Sequence, residues 1–266
     1  MIRKRLFAGL LLIAIIVAAF GQTTMNQRDA AGRKQGYWEA VDSKGALVYT
    51  AYFKDDKPVG EMKRYHPTGG VRVITYHDRE STKTRARFFW QNGELAARGN
   101  YIDNQRDSVW LYYSFNAKSV SRRVEYDAGK QNGKEQSFYP DGSLAEEIIW
   151  ENGLKNGHWK QYFNSGQLKS ITTYVNNKLE GSFTAFEPDG KTSIEGVYRN
   201  NVSDGDWKRY DEKGDLVITI KYDKGVITNY EELETTQHIL FENMMEQLGK
   251  IPEPTEEELL RGGNWW

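Results

Sequence analysis

The sequence predicts a mainly β fold: an elongated array of about eight stacked β-hairpins in one curved antiparallel sheet, closed by a short C-terminal α-helical cap. Three observations predict it. First, one position recurs as Gly36, Gly60, Thr84, Ser108, Gly133, Gly157, Gly181 and Gly205, in steps of 24, 24, 24, 25, 24, 24 and 24 residues. A fixed period of this size is the signature of a stacked repeat. Second, a small residue follows nine positions later in every unit, at Gly45, Gly69, Gly93, Ala117, Gly142, Gly166, Gly190 and Gly214. Third, the apolar spacing switches from strand-like to helical after Val226.

The chain opens with Arg3, Lys4 and Arg5, then the uncharged, mostly apolar run Leu6 to Phe20, then Ala19-Phe20-Gly21 with small residues placed for cleavage. That is the pattern of an export signal over residues 1–21. The run is short for a bilayer span, which needs about 20 apolar residues. The alternative is an inner-membrane anchor formed by residues 6–20. Residues 22–31 read as a linker. With no cysteine in the chain, neither lipid acylation of a cysteine nor a disulfide is available.

The repeat array spans residues 32–226. Each unit reads as strand, turn, strand, turn. Polar turn-formers precede the second small residue, as in Asp42-Ser-Lys-Gly45 and Pro140-Asp-Gly142. Glycine reaches positive φ without steric cost, so this is a tight hairpin turn. The first strand carries apolar residues at its third position (Trp38, Met62, Ala86, Trp110, Glu135 as the exception, Trp159, Phe183, Trp207) and its sixth (Val41, Tyr65, Phe89, Tyr113, Phe138, Tyr162, Phe186, Tyr210). The second strand ends on an aromatic residue: Tyr52, Tyr76, Tyr101, Tyr126, Trp150, Tyr174, Tyr198 and Tyr222. Third and sixth positions point to opposite faces of a flat strand. Either both faces are partly covered, or a bulge at the opening glycine realigns them. The extra residue of the fourth repeat lies between Ala117 and Tyr126, which places a further bulge there. The core is an aromatic ladder, in which each ring removes roughly 150–250 Å² from water.

Residues 227–266 form an acidic helical tail. From Val226 onward, nine glutamates stand against Lys250 and Arg261. Thr228-Asn-Tyr-Glu231 and Thr255-Glu-Glu-Glu258 read as capping boxes. Tyr230, Leu233, Leu240, Phe241, Met244 and Leu248 then fall mostly on one helical stripe. The first helix is expected to cover the open edge of the last repeat, since exposed edges invite aggregation; the other reading is a docking helix. The terminal Trp265-Trp266 pair either folds back on the ladder or inserts into a partner.

The pattern Gly-x-Trp-x-x-Tyr, then Asp-Gly-x-Leu, then Tyr-x-Asn-Gly, as written from Gly133 to Trp150, Gly157 to Tyr174, Gly181 to Tyr198 and Gly205 to Tyr222, resembles the bacterial variant of the MORN repeat. The resemblance implies stacked β-hairpins in a curved single sheet with an open groove. Eukaryotic members are linked to membrane lipids or to protein assembly, and many bacterial variants carry a YwqK-type antitoxin label. Thr84, Ser108 and Ala117 depart from the pattern, so curvature is expected to change mid-array.

Chemistry is sparse. His66, His77, His158 and His238 have no metal-ligand spacing, although His66 and His77 are placed to face each other across one hairpin. No nucleophile elbow occurs. Asp141, Asp189 and Asp215 fall at turns, where a structural role outweighs acid–base work. No enzyme, no metal and no cofactor are expected. The near-neutral array lacks the basic footprint of a nucleic-acid binder. The candidate partner surface is Trp110, Tyr113, Trp159, Tyr162, Trp207, Tyr210, Trp265 and Trp266. The expected function is an exported, non-catalytic scaffold that binds another envelope protein, periplasmic or outer-envelope associated. The alternatives are a glycan or membrane lipid bound through an open aromatic face, and an antitoxin-type partner-neutralising role, against which the export signal argues.

Overall fold

A computed structural model describes residues 25–115 and 119–236. They form one open antiparallel sheet of 19 strands in which successive strands pair, except that Lys178–Leu179 and Gly181–Phe186 both pair with Leu168–Val175. Sixteen of the strands are the two arms of eight hairpins, from Lys34–Val41 with Leu47–Lys54 to Val202–Tyr210 with Leu216–Asp223. The first arm of the seventh hairpin is split into Lys178–Leu179 and Gly181–Phe186. Short strands Gln27–Arg28 and Val226–Ile227 flank the array.

Two turn chemistries alternate along the sheet. Within each hairpin a four-residue turn closes on a left-handed residue, as where the Gly45 amide donates to the Asp42 carbonyl at 3.0 Å and the Gly214 amide to Asp211 at 2.9 Å. Asp42 and Asp211 also accept amides two and four residues on through their carboxylates, the local bond that makes Asp a turn-former. The fourth hairpin differs only here. Its turn closes from Ser114 to Ser119, one residue longer than the others. The strand Val120–Asp127 then shows the same single register shift as its counterparts. The extra residue is therefore in the turn, and the additional bulge expected after Ala117 does not form.

Between hairpins, two-residue turns with both φ angles positive connect the arms, as at Asn152-Gly153 (51° and 87°) and Asn200-Asn201 (50° and 72°). Their twist matches that of the flanking strands. Most of these turns work with a bulge at the opening position of the repeat. Between Glu195 and Val197 the pairing slips so that Gly205, Asp206 and Trp207 stand opposite Gly196 alone. Gly205 has φ +69° and would have open space for a side chain, so the requirement there is the backbone angle. The bulge frees the backbone two residues earlier, and the next turn satisfies it. The Leu179 amide donates to the Asn201 side chain at 2.7 Å, and the Asn201 amide donates back to the Leu179 carbonyl at 3.0 Å. Asn177 binds Lys155 in the same way, and so does Asp56 with Lys34.

The third repeat lacks the bulge. His77 pairs directly with Thr84 without a register shift, and residues 78–83 make an open connection. Thr is β-branched and resists the left-handed angle. Ser108 accepts it, at φ +59°, and keeps the bulge.

Buried side chains share one face of the sheet. Ala51, Phe53, Met62, Val73, Ala86, Ala97, Trp110, Val124 and Ile148 are all buried. The register explains a mismatch with the sequence pattern in the first two repeats. The residue paired with the repeat opening is Phe53 for Gly36 and His77 for Gly60, as Tyr174 is for Gly157. The ladder residues there are thus Phe53 (9% exposed) and His77. Tyr52 (52%) and Tyr76 (49%) stand one place off and on the other face. A one-residue offset exchanges the faces of a strand.

Size complementarity runs across the repeat junctions. Ala51 faces Met62, and Ile148 faces Trp159. Where the ring leaves no room, glycine stands opposite: a Cβ on Gly99 would lie 2.3 Å from the Trp110 ring, and one on Gly196 2.3 Å from Trp207.

At the C-terminal edge a helix begins at Tyr230. Asn229 precedes it and imitates a strand residue, accepting from the Lys221 amide at 2.9 Å and donating to the Thr219 carbonyl at 2.9 Å. Its amide also donates to Glu232 at 3.2 Å. The cap is therefore Asn229 with Glu232, one residue beyond the expected Thr228 and Glu231. The Thr228 hydroxyl donates to Lys221 instead. Buried Leu233 seats the first helical turn. The second capping box and the tail beyond 236 lie outside the described residues, as do residues 1–21. Among the described residues no helix is long and apolar enough to cross a membrane.

Gly196→Ala should lower unfolding free energy by about 1–3 kcal/mol through overpacking against Trp207. Gly166→Val, at φ +89°, should cost about 1–3 kcal/mol through backbone strain. Lys169→Ala should stay within about 0.5 kcal/mol. Urea titrations of the three variants check the ranking, and equal midpoints would contradict the assignment of both glycines.

The turn carboxylates also set an acid limit. Backbone amides hold the carboxyls of Asp211, Asp141 and Asp189 below their ordinary range, the Asp215, Ser143 and Lys191 amides being the largest causes. The Arg33 amide is the largest cause for Asp29, lowered to about 2. A depressed folded-state pKa contributes stability above the unfolded value, near about 4, and loses it as pH falls through the folded one. The melting temperature should therefore drop between about pH 4 and about pH 2, as followed by circular dichroism. A flat profile there would show that the turns contribute no proton-linked stability.

Candidate functional site

The two aromatic series sit on opposite faces. Third-position rings join the eighteenth-position rings: Trp159 and Tyr174 lie 5.6 Å apart between centroids, Trp207 lies 4.9 Å from Tyr198 and 6.2 Å from Tyr222, and Phe183 stacks on Trp207 at 5.4 Å. Trp110 is enclosed by Tyr101 at 5.0 Å, Tyr112 at 6.3 Å and Tyr126 at 6.4 Å, and is 1% exposed. The indole N–H groups are satisfied within the sheet, by the Asn100 carbonyl for Trp110, the Val197 carbonyl for Trp207 and the Glu146 carboxylate for Trp159. Cations cover the ladder from two residues before the repeat opening. Arg106 lies over Trp110 at 4.9 Å, Lys155 over Tyr174 at 4.9 Å, and Lys34 over Trp38 at 4.9 Å.

Sixth-position rings turn the other way. The Tyr210 hydroxyl donates to Glu195 at 2.7 Å, and Thr50 meets the Tyr65 hydroxyl at 3.4 Å. Tyr113 and Tyr162 occupy the equivalent register positions, paired with Val120 and Leu168. The candidate surface therefore divides: Trp110, Trp159 and Trp207 on the ladder face, and Tyr113, Tyr162 and Tyr210 on the opposite face. Trp265 and Trp266 lie outside the described residues.

On the ladder face, a groove of about 610 Å³ opens beside Trp110, lined by Phe88, Trp90, Ala97, Arg106, Tyr112 and Arg122. Trp90 is 38% exposed there and packs edge-on against Phe115 at 5.5 Å. Burial, together with the hydrogen bond to Tyr126, pushes the Tyr112 hydroxyl up to about 12, so it stays a neutral donor at neutral pH.

The opposite face carries a row of side chains that register brings into line, one per strand. In the second half of the array its carboxylates are neutralised within the sheet: Glu147 by Lys134 at 3.2 Å, and Glu195 by Lys208 at 3.0 Å. Apolar and aromatic groups also stand exposed on this face, Tyr52, Tyr76 and Val109 in the first half of the array and Val197 in the second. Three arginines, Arg85, Arg87 and Arg98, line a second hollow of about 530 Å³ on this face with Leu95, Val109 and Leu111. The sequence pattern did not single them out. The signal available was the alternation Arg-x-Arg at 85–87, where no other repeat places two Lys or Arg residues.

The histidines make no site. His66 lies in a turn, with its ring near the Phe89 carbonyl at 3.2 Å, whereas His77 pairs with Gly60 at the far end of the same hairpin. They do not face each other. His77 binds Thr75 and Thr84 through its two ring nitrogens, and burial, then the charge of Arg64, lowers its pKa. Among the described residues no group of three or more His, Asp or Glu side chains is placed to hold a metal ion.

The family model of the MORN repeat variant matches residues 131–152, 155–176 and 203–224. The chain carries MORN-variant repeats. The matches fall on the fifth, sixth and eighth hairpins, and the first four, with Thr84, Ser108 and Ala117 among them, go unmatched. No curated protein matches the chain. Solved structures give distant likenesses. A mutant of S. aureus TarM in complex with fondaparinux, alpha-GlcNAc-glycerol and UDP is 16% identical, over 45% of this chain and 22% of that one, at a TM-score of 0.28. The Photorhabdus luminescens Tc holotoxin pore is 11% identical, over 76% and 14%, at 0.19. A TcdB2-TccC3 structure is 10% identical, over 68% and 13%, at 0.21. The chain spans less than a quarter of the length of each. TM-scores under 0.5 carry no argument about fold or function.

Two tryptophans separate packing from polarity. Trp110 is enclosed and hydrogen-bonded, while the buried Trp150 N–H has no partner. Trp110→Phe should cost about 1–3 kcal/mol, and Trp150→Phe less than about 1 kcal/mol, since it removes an unsatisfied donor. Thermal denaturation of both variants measures the difference, and equal losses would remove the distinction.

Proposed function

We propose that this protein is an exported, non-catalytic repeat scaffold that docks another envelope protein on the face opposite the aromatic ladder. The observation that supports this most is the division of labour between faces. The ladder face uses its rings and their N–H groups internally. The other face leaves Tyr52, Tyr76, Val109 and Val197 exposed and carries lysine–glutamate pairs elsewhere along it. Exposed aromatic and apolar side chains set among polar ones have the composition of a protein interface, not of an enclosed ligand pocket. The signal pattern of residues 1–21 supports the envelope as the place where this happens.

The groove beside Trp110 favours a second reading, in which a glycan or lipid headgroup meets the half-exposed Trp90 and the cations Arg106 and Arg122. A shift of intrinsic tryptophan fluorescence with a polysaccharide or liposome panel would support it, and a flat response would retire it.

The leading reading is tested by a photo-crosslinking amino acid at Val197, on the proposed docking face, and at Arg64, on the ladder face. Irradiation of intact cells should give a discrete adduct from position 197 and none from position 64. Recovery of the chain alone from both would overturn the docking proposal.

A further inference from the structure

The side-chain row opposite the ladder can be read through the register: Glu39, Thr50, Lys63, Ile74, Arg87, Arg98, Leu111, Arg123, Gln136, Glu147, Lys160, each paired with the next. Elsewhere in this row charge meets opposite charge or a neutral group. At one point it does not: Arg87 and Arg98 are direct cross-strand partners. Directly opposed side chains hold their Cβ atoms roughly 4.5–5.5 Å apart, and like charges there are destabilising. Arg85 stands beside them, its guanidinium over the Tyr76 ring at 4.8 Å.

No carboxylate of the described residues forms an ion pair with any of the three. Glu61, two strands away and lining another hollow with Arg85 and Arg87, is bound to Lys63 at 2.9 Å. Arg123, the next arginine of the row, is bound to Glu125 at 2.7 Å. The background charge does not compensate either. Residues 25–123 hold 18 Lys and Arg against 11 Asp and Glu, whereas residues 124–236 hold 13 against 20, so the acidic excess lies at the other end of an elongated sheet. The hollow of about 530 Å³ between the arginines has an apolar side made by Leu95, Val109 and Leu111.

We propose that Arg85, Arg87 and Arg98 form a binding site for a small soluble phosphate monoester that carries an apolar or aromatic group. One carboxylate satisfies one guanidinium fork. Guanidinium forks on adjacent strands around one hollow suit a tetrahedral dianion, which offers acceptor oxygens in several directions at once. The apolar side of the hollow takes the organic part of the ester. The bound dianion supplies the counter-charge that the sheet omits between Arg87 and Arg98. This site lies beyond the docking proposal and does not depend on it.

The probes are phenyl phosphate and inorganic phosphate, titrated calorimetrically into the full chain at constant ionic strength. Phenyl phosphate should bind, and more tightly than inorganic phosphate. Arg87→Gln and Arg98→Gln should each weaken it at least tenfold, while Arg209→Gln, at the far end of the array, leaves it unchanged. Without ligand, Arg87→Gln should melt no lower than the parent chain, because it removes a like-charge contact; a lower melting temperature would show a structural role and overturn the proposal. Undiminished phenyl phosphate binding in Arg87→Gln and Arg98→Gln, or equal weakening in Arg209→Gln, would also overturn it. So would absence of phenyl phosphate binding alongside arginine-dependent sedimentation with phosphatidylglycerol vesicles, which would assign the cluster to a membrane surface.

Discussion

The structure depends on one backbone constraint: the opening residue of a repeat takes a left-handed angle. Seven of the eight openings do so: Gly36, Gly60, Gly133, Gly157, Gly181 and Gly205, with φ values of 69° to 126°, and Ser108 at 59°. The left-handed residue creates a bulge that lengthens the first arm of the hairpin past its partner. The extra length leaves backbone groups unpaired two residues before the opening, and the turn of the next junction pairs them. A buried or edge backbone group must find such a partner. Successive hairpins are thereby joined twice, through the sheet ladder and through the turn clip. The rings come afterwards: a register already set by backbone chemistry brings third and eighteenth positions onto one face.

The junction before Thr84 shows what happens without that angle. Six residues separate the ladder position from the next opening at Phe53 to Gly60 and at His77 to Thr84 alike. In the first case they form a two-residue turn and a bulge; in the second they form an open connection with no bulge. Equal length with different local chemistry gives different geometry. Asp55-Asp56 supplies two left-handed residues, and Asp and Asn tolerate that region far better than β-branched residues do. The site of this break is also where the family pattern lapses and where Arg85, Arg87 and Arg98 gather. A repeat relieved of the standard turn clip is one whose exposed positions can be used for something other than assembly.

Architecture was legible in the sequence because it repeats. A period of 24 residues with glycines at two fixed offsets leaves few alternatives to stacked hairpins. What was not legible was the side to which each ring points. Tyr52 and Tyr76 look like Tyr174 in composition, yet they stand one residue short of its register, and the ladder positions there belong to Phe53 and His77. A strand has a period of two, so an error of one residue is the largest possible error in facing. The third and sixth positions show the same difficulty in another form. Their separation allowed a covered sheet on both sides or a realigning bulge; the register shift between Arg209 and Tyr210 puts its extra residue, Val217, on the partner strand, which leaves Trp207 and Tyr210 on opposite faces. Asn229 was overlooked as a cap because its side chain bonds to a strand, across a distance in sequence that local pattern does not encode.

Separating the faces has a consequence for how such a sheet can carry function. A single open sheet gives every strand two surfaces and only one core, so burying rings on one face obliges the other to remain stable in water by pairing charges. The second half of the array does this locally, Lys against Glu across adjacent strands. Surface pairs of that kind contribute little to stability, roughly 0–1 kcal/mol each; their effect is to cancel charge locally between adjacent strands of this face. Where Arg87 meets Arg98 the cancellation stops and a local positive potential remains. Such a point is tolerated because the rest of the sheet is held by backbone clips and rings that do not involve it. A scaffold built from independent repeats can therefore place an uncompensated charge cluster on one unit without loss of the fold, since each repeat contacts only its neighbours and the cost stays local.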